Sequence, residues 1–282
     1  MLRFVLCADD FALSEGVSGS ILALLRKGRL TATSAMTNRE NWRKSAPRLR
    51  EFVGKADLGV HLNLTCGSSL AVMSSFAPTG ELPALGRVLR GALVGRLPLA
   101  EIADEFRRQI DAYAAAMGRE PDFLDGHQHV HAFPGIRDAL FTALDGLGLA
   151  PRLYVRDPSD RMGAIARRRV GAGKAMMIAA LARGFREKLR ARSIPANTGF
   201  AGVVPFDVRR DYGADFASFL AVPGRSHLVM CHPGEIDDDL KAADPVSATR
   251  PAEARFLGSD AFLGLMAKLD AAPARFRDLK NG

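Results

Sequence analysis

The stretch FVLCADDFALS, residues 4–14, ends an apolar run on two adjacent carboxylates and then approaches a helix. Acidic side chains are depleted within strands, and a buried carboxylate without a partner is costly. Ser14 is a typical N-cap residue, and apolar side chains recur at helical spacing after it. The stretch therefore predicts a buried strand over residues 3–9 whose carboxyl end carries Asp9 and Asp10 for chemistry rather than for packing.

The order of strand, polar tip and helix recurs along the chain. We predict strands at residues 3–9, 30–38, 57–65, 122–131, 152–156 and 226–235. We predict helices between Ser14 and Gly28, over much of 40–53, from Pro98 to Gly118, from Pro134 to Gly146 or Gly148, and at 260–269. Strands that alternate with helices indicate parallel βαβ units and hence an α/β fold.

Unusual polar residues gather at the carboxyl ends of these predicted strands. In barrels and doubly wound sheets alike, those ends form the functional rim. In DLGVHLNLT, residues 57–65, leucine and valine alternate with other residues, which places His61 on the face opposite the leucines. Leucines that face outward against helices and polar groups that face inward are typical of a barrel mouth, so we favour an α/β barrel.

Histidines are concentrated at the same rim. HQHVH is expected to place His127, His129 and His131 on one face of an extended segment, with Asp125 on the same side. Together with His61 and the acid pair, this clustering predicts a metal site. One carboxylate and two imidazoles leave open positions on a divalent ion, so one acid of the pair can bind the metal while the other stays free as a base.

Length and composition limit the organisation of the chain. Its 282 residues allow one large α/β domain or two small ones, and we predict a single domain over residues 1–282. Residues 66–97 are rich in Gly, Ser and Pro and are expected to form a long loop with little regular structure. Such a loop is often a functional lid.

The net charge of +8 comes from one segment, which we interpret as a basic helical insertion at residues 160–192. Ten Lys or Arg stand between Arg161 and Arg192 against a single acid, Glu187. The cations alternate with aliphatic residues and lack aromatic stacking partners, so we expect no nucleic-acid partner. Two interpretations remain open: surface helices that pack their apolar stripe on the barrel, or a docking face for a lipid-linked or anionic glycan or an anionic membrane surface.

Hydropathy, the N-terminal residues and the cysteines indicate the cellular compartment of the protein. No apolar run approaches the roughly 18 residues of a membrane span, and the N-terminus lacks the features of a signal peptide. Cys7, Cys66 and Cys231 form no CxxC pair, which favours reduced thiols and a cytoplasmic protein, with association at a membrane surface as the variant. All three lie beside site segments, where thiolates are good zinc ligands, but packing in the core is the favoured interpretation.

Four motifs occur together in a specific order. They are ADDFALS (8–14), GVHLNLT (59–65), LDGHQHVH (124–131) and MCHPGE (230–235). In this order the chain resembles the YdjC-like carbohydrate deacetylases, which include chitooligosaccharide deacetylases. The resemblance implies an irregular (β/α) barrel, a homodimer, and metal-dependent removal of acetyl from an N-acetylated sugar. It favours magnesium, whereas the ligand types favour zinc.

The resemblance also implies roles for individual residues. The metal ligands are Asp10, His61 and His127, the base is Asp9, the group that protonates the leaving amine is His232, and the substrate contacts are His131 and Asn63. Ala12 stands where the family commonly has glycine, so we expect no positive φ at that turn.

Two alternative functions stay open. A metal-dependent phosphoesterase would need basic groups near the metal, and Lys and Arg are absent from all four motifs. A sugar-binding protein that keeps the site without catalysis would need neither Asp9 nor His232. Hydrolysis of an acetamido sugar is therefore the leading hypothesis.

Overall fold

The computed structural model describes residues 1–149, 152–244 and 247–279. The strands are β1 (Leu2–Phe11), β2 (Ala32–Ala35), β3 (Asp57–Leu62), β4 (Phe123–Gly126), β5 (Tyr154–Val155), β6 (Gly199–Ala201), β7 (His227–Cys231) and β8 (Ala271–Pro273). The α-helices are α1 (Glu15–Arg26), α2 (Asn41–Leu49), α3 (Leu85–Val94), α4 (Leu99–Met117), α5 (Ile136–Leu147), α6 (Met162–Arg168), α7 (Ala172–Leu181), α8 (Phe185–Ala191), α9 (Tyr212–Phe219), α10 (Asp238–Ala243), α11 (Arg250–Gly258) and α12 (Asp260–Lys268). Short 3-10 helices lie at Arg50–Phe52, His127–Ala132 and Phe276–Leu279.

The sheet is parallel and curled. Its strand order is β5–β4–β3–β2–β1–β7–β6, and β8 pairs with β1 beside this path. The order starts at β5 and ends at β6, so the described strands form a half-barrel surrounded by helices. The predicted α/β class and irregular (β/α) barrel are confirmed. Within the three described ranges, no helix combines the length and the apolar character that crossing a bilayer requires.

Apolar side chains divide into two layers that follow the alternation of the strands. Leu58, Val60 and Leu62 of β3 belong to the large cluster shared with the helices, as the leucine pattern predicted. The inner cluster holds Val5, Cys7, Phe123, Tyr154, Leu228 and Met230. Tyr154 stacks on Phe123, with ring centroids 4.9 Å apart, and on Phe276 at 4.1 Å. This packing fills the interior of the half-barrel below the polar residues and supports the strand ends that carry them.

The long loop predicted at 66–97 is interrupted by a helix, so the expectation of little regular structure is wrong for 85–94. Val88 and Ala92 are buried, and Gly95 ends α3 in the left-handed conformation. The Gly- and Pro-rich composition of the segment favoured a loop, although the apolar residues of α3 have helical spacing. Carboxylates of α4 also fix the preceding loop, because Glu101 accepts the backbone N–H groups of Ser75 and Phe76. A lid function for this segment stays a prediction.

The basic segment contains the helices α6, α7 and α8. It connects β5 to β6, the two ends of the half-barrel. Ile178 of α7 belongs to the inner apolar cluster, so part of the segment packs on the barrel. Arg168 donates to the carbonyl oxygen of Phe200, and Arg186 pairs with Asp157 at 2.6 Å. Some of its cations therefore support the fold.

Candidate active site

The two carboxylates of the acid pair leave β1 in different directions because the strand is irregular there. The pairing register with β2 shifts between Ala8 and Phe11, and Asp10 has a φ of 69°. Ala12 also has a positive φ, of 74°, so the expectation for this turn is wrong. Its backbone N–H donates to Ser18 Oγ at 3.0 Å, which holds a conformation that costs a non-glycine residue about 1–2 kcal/mol. The turn lets adjacent acids, which a regular strand would place on opposite faces, both reach the barrel mouth.

Asp10, His61 and His127 meet at this mouth. Asp10 Oδ1 lies 3.2 Å from His61 Nε2 and 2.9 Å from His127 Nδ1. One potential ligand atom from each residue lies within 4.8 Å of the others, and all three side chains are buried or nearly so. One carboxylate oxygen and two imidazole nitrogens at this separation can surround a single divalent ion and leave positions open.

Further polar groups hold His61 in place. Asp125 Oδ1 lies 2.7 Å from His61 Nδ1, and Ser34 Oγ donates to Asp125 Oδ2 at 2.9 Å. A carboxylate on the far nitrogen directs Nε2 of a histidine towards a metal. Burial alone lowers the pKa of an imidazole, but Asp125 and Asp10 raise the pKa of His61 to about 10. These carboxylates therefore favour a positive charge at His61 Nε2, which a bound metal ion would supply.

Arg250, which lies outside the four motifs and was not predicted, contacts the other oxygen of Asp10. Its Nη2 lies 2.5 Å from Asp10 Oδ2 and 2.7 Å from Asp244 Oδ2. Burial acts to raise the pKa of Asp10, but Arg250 and then His127 outweigh it and hold that pKa well below its usual range. Asp10 is therefore ionised, with Oδ1 directed at the two histidines.

Asp9 lies in a separate ion pair with the buried Arg156. Arg156 Nη1 donates to Asp9 Oδ2 and Nη2 donates to Asp9 Oδ1, each at 2.6 Å. Nη2 also lies 2.6 Å from Asp125 Oδ2. Lys and Arg are absent from the four motifs, but Arg156 and Arg250 reach the site from segments outside them. The one signal for Arg156 was its position at the end of the predicted strand RLYVR.

His232 lies on the other side of Asp9. Its Nε2 is 4.0 Å from Asp9 Oδ2, and its backbone N–H donates to Glu253 Oε2 at 2.7 Å. Burial lowers the pKa of His232 to about 4 and raises the pKa of Glu253 to about 7. Phe206, with its ring centroid 6.2 Å from that of His232, completes this side of the site. Glu253 and Phe206 carried no motif that sequence reasoning could use.

The histidine run does not form an extended segment, so the prediction of one common face is wrong. β4 ends at Gly126, and Gln128 and His129 have φ values of 53° and 61° within a 3-10 helix. As a result the side chains diverge. His127 reaches Asp10, whereas the ring of His129 packs edge-on against Phe200.

The two proposed substrate contacts have protein partners. His131 Nε2 lies 2.8 Å from the carbonyl oxygen of Arg156, and burial lowers the pKa of His131 to about 4. Asn63 Oδ1 accepts the backbone N–H groups of Thr65 and Cys66, and its Nδ2 donates to the carbonyl oxygen of Cys66 at 2.6 Å. The substrate contacts at His131 and Asn63 stay predictions.

Several known proteins resemble this chain in sequence. The family model of the YdjC-like protein matches residues 3–268. A chitooligosaccharide deacetylase of Escherichia fergusonii is 32% identical over 238 residues, which cover 83% of this chain and 82% of that protein. A chitooligosaccharide deacetylase of Enterobacter sp. is 36% identical over 156 residues, and the match spans only 60% of its length.

The fold also has a solved counterpart. A protein of Enterococcus faecalis V583, whose proposed role is cellobiose-phosphate cleavage, superposes with a TM-score of 0.73 at 19% identity and covers 99% of this chain and 98% of its own. At that identity the likeness concerns the fold alone. The family match extends over nearly the whole sequence and includes all four motifs, and the chain therefore belongs to the YdjC-like protein family.

Proposed function

We propose that this protein is a metal-dependent carbohydrate deacetylase that removes the acetyl group from an N-acetylated amino sugar. The observation that carries the proposal is the group of Asp10, His61 and His127 around one point, with Asp9 and His232 beside it. The names of the chitooligosaccharide deacetylases support the same reaction class.

In this proposal Asp10 Oδ1, His61 Nε2 and His127 Nδ1 would hold one divalent ion. When bound, the ion polarises the acetamido carbonyl and acidifies a water molecule. Imidazole ligands favour zinc, whereas the family resemblance favours magnesium. Arg250 stays on Asp10 Oδ2, so that a single oxygen of this carboxylate faces the ion.

Asp9 is proposed to accept the proton of the attacking water. Arg156 fixes both of its oxygens, which orients the carboxylate. His232 then delivers a proton to the leaving amine. Because burial lowers the pKa of His232 to about 4, its ring is neutral at pH 7, and it would gain its proton from Asp9, 4.0 Å away, during the reaction.

A phosphoesterase is the second candidate, and one observation favours it. Arg250 Nε and Nη1 are buried and have no hydrogen-bond partner among the described residues. Such donors could bind an anionic group. Against this, the remaining nitrogen of Arg250 and both terminal nitrogens of Arg156 already pair with carboxylates. A sugar-binding protein without catalysis is the third candidate.

One preparation can separate the three candidates. The purified protein, stripped of metal and supplied with Mg²⁺ or Zn²⁺ in parallel, is tested against N-acetylated and phosphorylated sugars. Release of acetate that depends on the added ion supports deacetylation. Release of phosphate without acetate indicates the phosphoesterase, and ion uptake with sugar binding but no product indicates the binding protein.

We propose a homodimer, which sedimentation equilibrium can test, and a cytoplasmic location. We further propose that exposed cations of residues 160–192 bind an anionic surface that presents a lipid-linked glycan. Arg167 and Arg169 are exposed and available for this role, whereas Arg168 is buried against Phe200 and Asp160.

A further inference from the structure

A second group of potential metal ligands lies directly below the site, and a guanidinium fills it. One potential ligand atom from each of Cys7, Asp9 and Asp125 lies within 4.8 Å of the others, and all three residues are buried. Arg156 Nη2 lies among them, 3.0 Å from Cys7 Sγ, 2.6 Å from Asp9 Oδ1 and 2.6 Å from Asp125 Oδ2. A single nitrogen therefore contacts all three residues.

These three groups have the chemistry of a site for a soft divalent ion. A thiolate and two carboxylates are suitable ligands for zinc and for its heavier congener cadmium. Two buried carboxylates cannot both stay ionised without a cation between them. In the native chain the guanidinium supplies that charge, and the thiol of Cys7 keeps its proton because burial raises its pKa.

We propose that Arg156 is a built-in cation that occupies a second metal site and limits the centre to one ion. The contact of Arg156 with Asp9 also explains why the adjacent acids Asp9 and Asp10 have different surroundings. Both oxygens of Asp9 accept hydrogen bonds from Arg156, whereas Asp10 directs Oδ1 at His61 and His127. The binding of one ion by Asp10, His61 and His127 rests on the proposed function, whereas the second site at Cys7, Asp9 and Asp125 does not.

The test replaces the guanidinium and counts ions. Cd²⁺ is titrated into the wild type and into Arg156→Ser, with binding followed by equilibrium dialysis and by ultraviolet thiolate-to-cadmium charge-transfer absorption. The wild type should bind one Cd²⁺ without the thiolate band. Arg156→Ser should bind two and gain the band, because Cys7 releases its proton to solvent as its sulfur bonds to the metal.

Two further variants make the result specific. Arg156→Ser/Cys7→Ser should lose the band, which assigns it to Cys7 rather than to Cys66 or Cys231. Arg137→Ser removes another buried arginine, one that donates to backbone carbonyls away from the site, and should behave as the wild type. Arg156→Lys keeps the positive charge and should also bind one ion without the band.

Stability provides a readout if Arg156→Ser folds poorly. Cd²⁺ should raise the Tm of Arg156→Ser more than that of Arg156→Ser/Cys7→Ser, since only Arg156→Ser keeps all three ligands of the second site. A folded Arg156→Ser without the thiolate band, or a wild type that shows it, overturns the proposal. A wild type that binds no ion while Arg156→Ser still gains the band refutes the proposed metal centre and leaves the second site standing.

Discussion

Arg156 binds both carboxylate oxygens of Asp9, at 2.6 Å each, while Asp10 turns its Oδ1 towards His61. Two adjacent acids thus lie in different environments. One is held by a guanidinium on both oxygens, and the other has one oxygen within reach of two imidazoles. Different substitutions at these positions should therefore have different effects.

Asp10→Asn should lose the bound divalent ion. An amide has no charge and offers a weaker oxygen than the carboxylate that lies between His61 and His127. Metal content after dialysis and circular dichroism of the same sample measure the loss and the integrity of the fold. Asp9→Asn is the matched control and should keep its ion. Retention by Asp10→Asn with loss by Asp9→Asn would show that the two roles are reversed.

Asp9→Asn should lower the turnover of an acetamido sugar about 10²–10⁴-fold, the usual contribution of a positioned proton acceptor. The amide cannot take the proton of the attacking water. Initial rates of acetate release at saturating metal measure the effect. Asp145→Asn, which alters an exposed carboxylate on α5, serves as the control for any aspartate substitution. Unchanged turnover in Asp9→Asn would exclude Asp9 as the base.

His232→Ala should affect substrates according to their leaving groups. An amine must be protonated to depart, whereas a nitrophenolate leaves without a proton. Acetate release from the acetamido sugar should therefore fall about 10²–10⁴-fold, with far less effect on p-nitrophenyl acetate. Steady-state rates on both substrates provide the comparison. An equal loss on both would assign His232 a structural role.

Glu253→Gln should change how stability depends on pH. Burial raises the pKa of Glu253 from 4.5 to about 7, so the folded state holds this proton more tightly than the unfolded chain. The stabilisation is present below pH 4.5 and is lost as pH rises to 7. At about 1.4 kcal/mol per pKa unit, the loss amounts to about 3 kcal/mol.

The glutamine variant mimics the protonated acid and should escape this loss. Urea unfolding at pH 5 and pH 8 should show the variant gaining free energy of unfolding relative to the wild type at the higher pH. Glu235→Gln, at an exposed carboxylate near the same strand end, should track the wild type. A constant difference between Glu253→Gln and wild type across this range would contradict the raised pKa.

Arg167→Glu/Arg169→Glu should weaken binding to anionic vesicles if the basic segment docks on such a surface. Each cation near an anionic membrane contributes about 1 kcal/mol, so reversal of two charges should be readily measurable. Cosedimentation with phosphatidylserine vesicles at low and high salt provides the measurement. Arg87→Glu/Arg90→Glu reverses two exposed charges on α3 and should behave as the wild type. Equal, salt-independent recovery in the supernatant for all three proteins would leave the helices with a purely structural role.

Sequence patterns predicted the rim because it depends on local rules, whereas the family resemblance supplied Asp10, His61 and His127 as the expected ligands. Parallel strands bring their carboxyl ends to one edge, so Asp10, His61 and the residues after Asp125 had to lie near one another. Arg156, Arg250 and Glu253 could not be predicted in the same way. They belong to segments without a motif, and only the tertiary fold places them beside the acid pair.

The predictions for Ala12 and for the histidine run were wrong because the local backbone departs from regular strand geometry. Ala12 and His129 adopt positive φ values that their side chains disfavour, and only surrounding contacts select them. The divergence of the histidine run follows from the same cause. A pattern read with period two assumes regular strand geometry, which ends here at Gly126.

The middle of the sheet and its open side are constrained to different degrees by neighbouring strands. Asp10, His61 and His127 stand at the ends of β1, β3 and β4, in the middle of the strand order, where each strand has neighbours on both sides. Helices α6–α8 instead join the two outer strands. Lengthening or rebuilding that connection leaves the central ladder in register. A change in the length of that connection should therefore leave Asp10, His61 and His127 where they are.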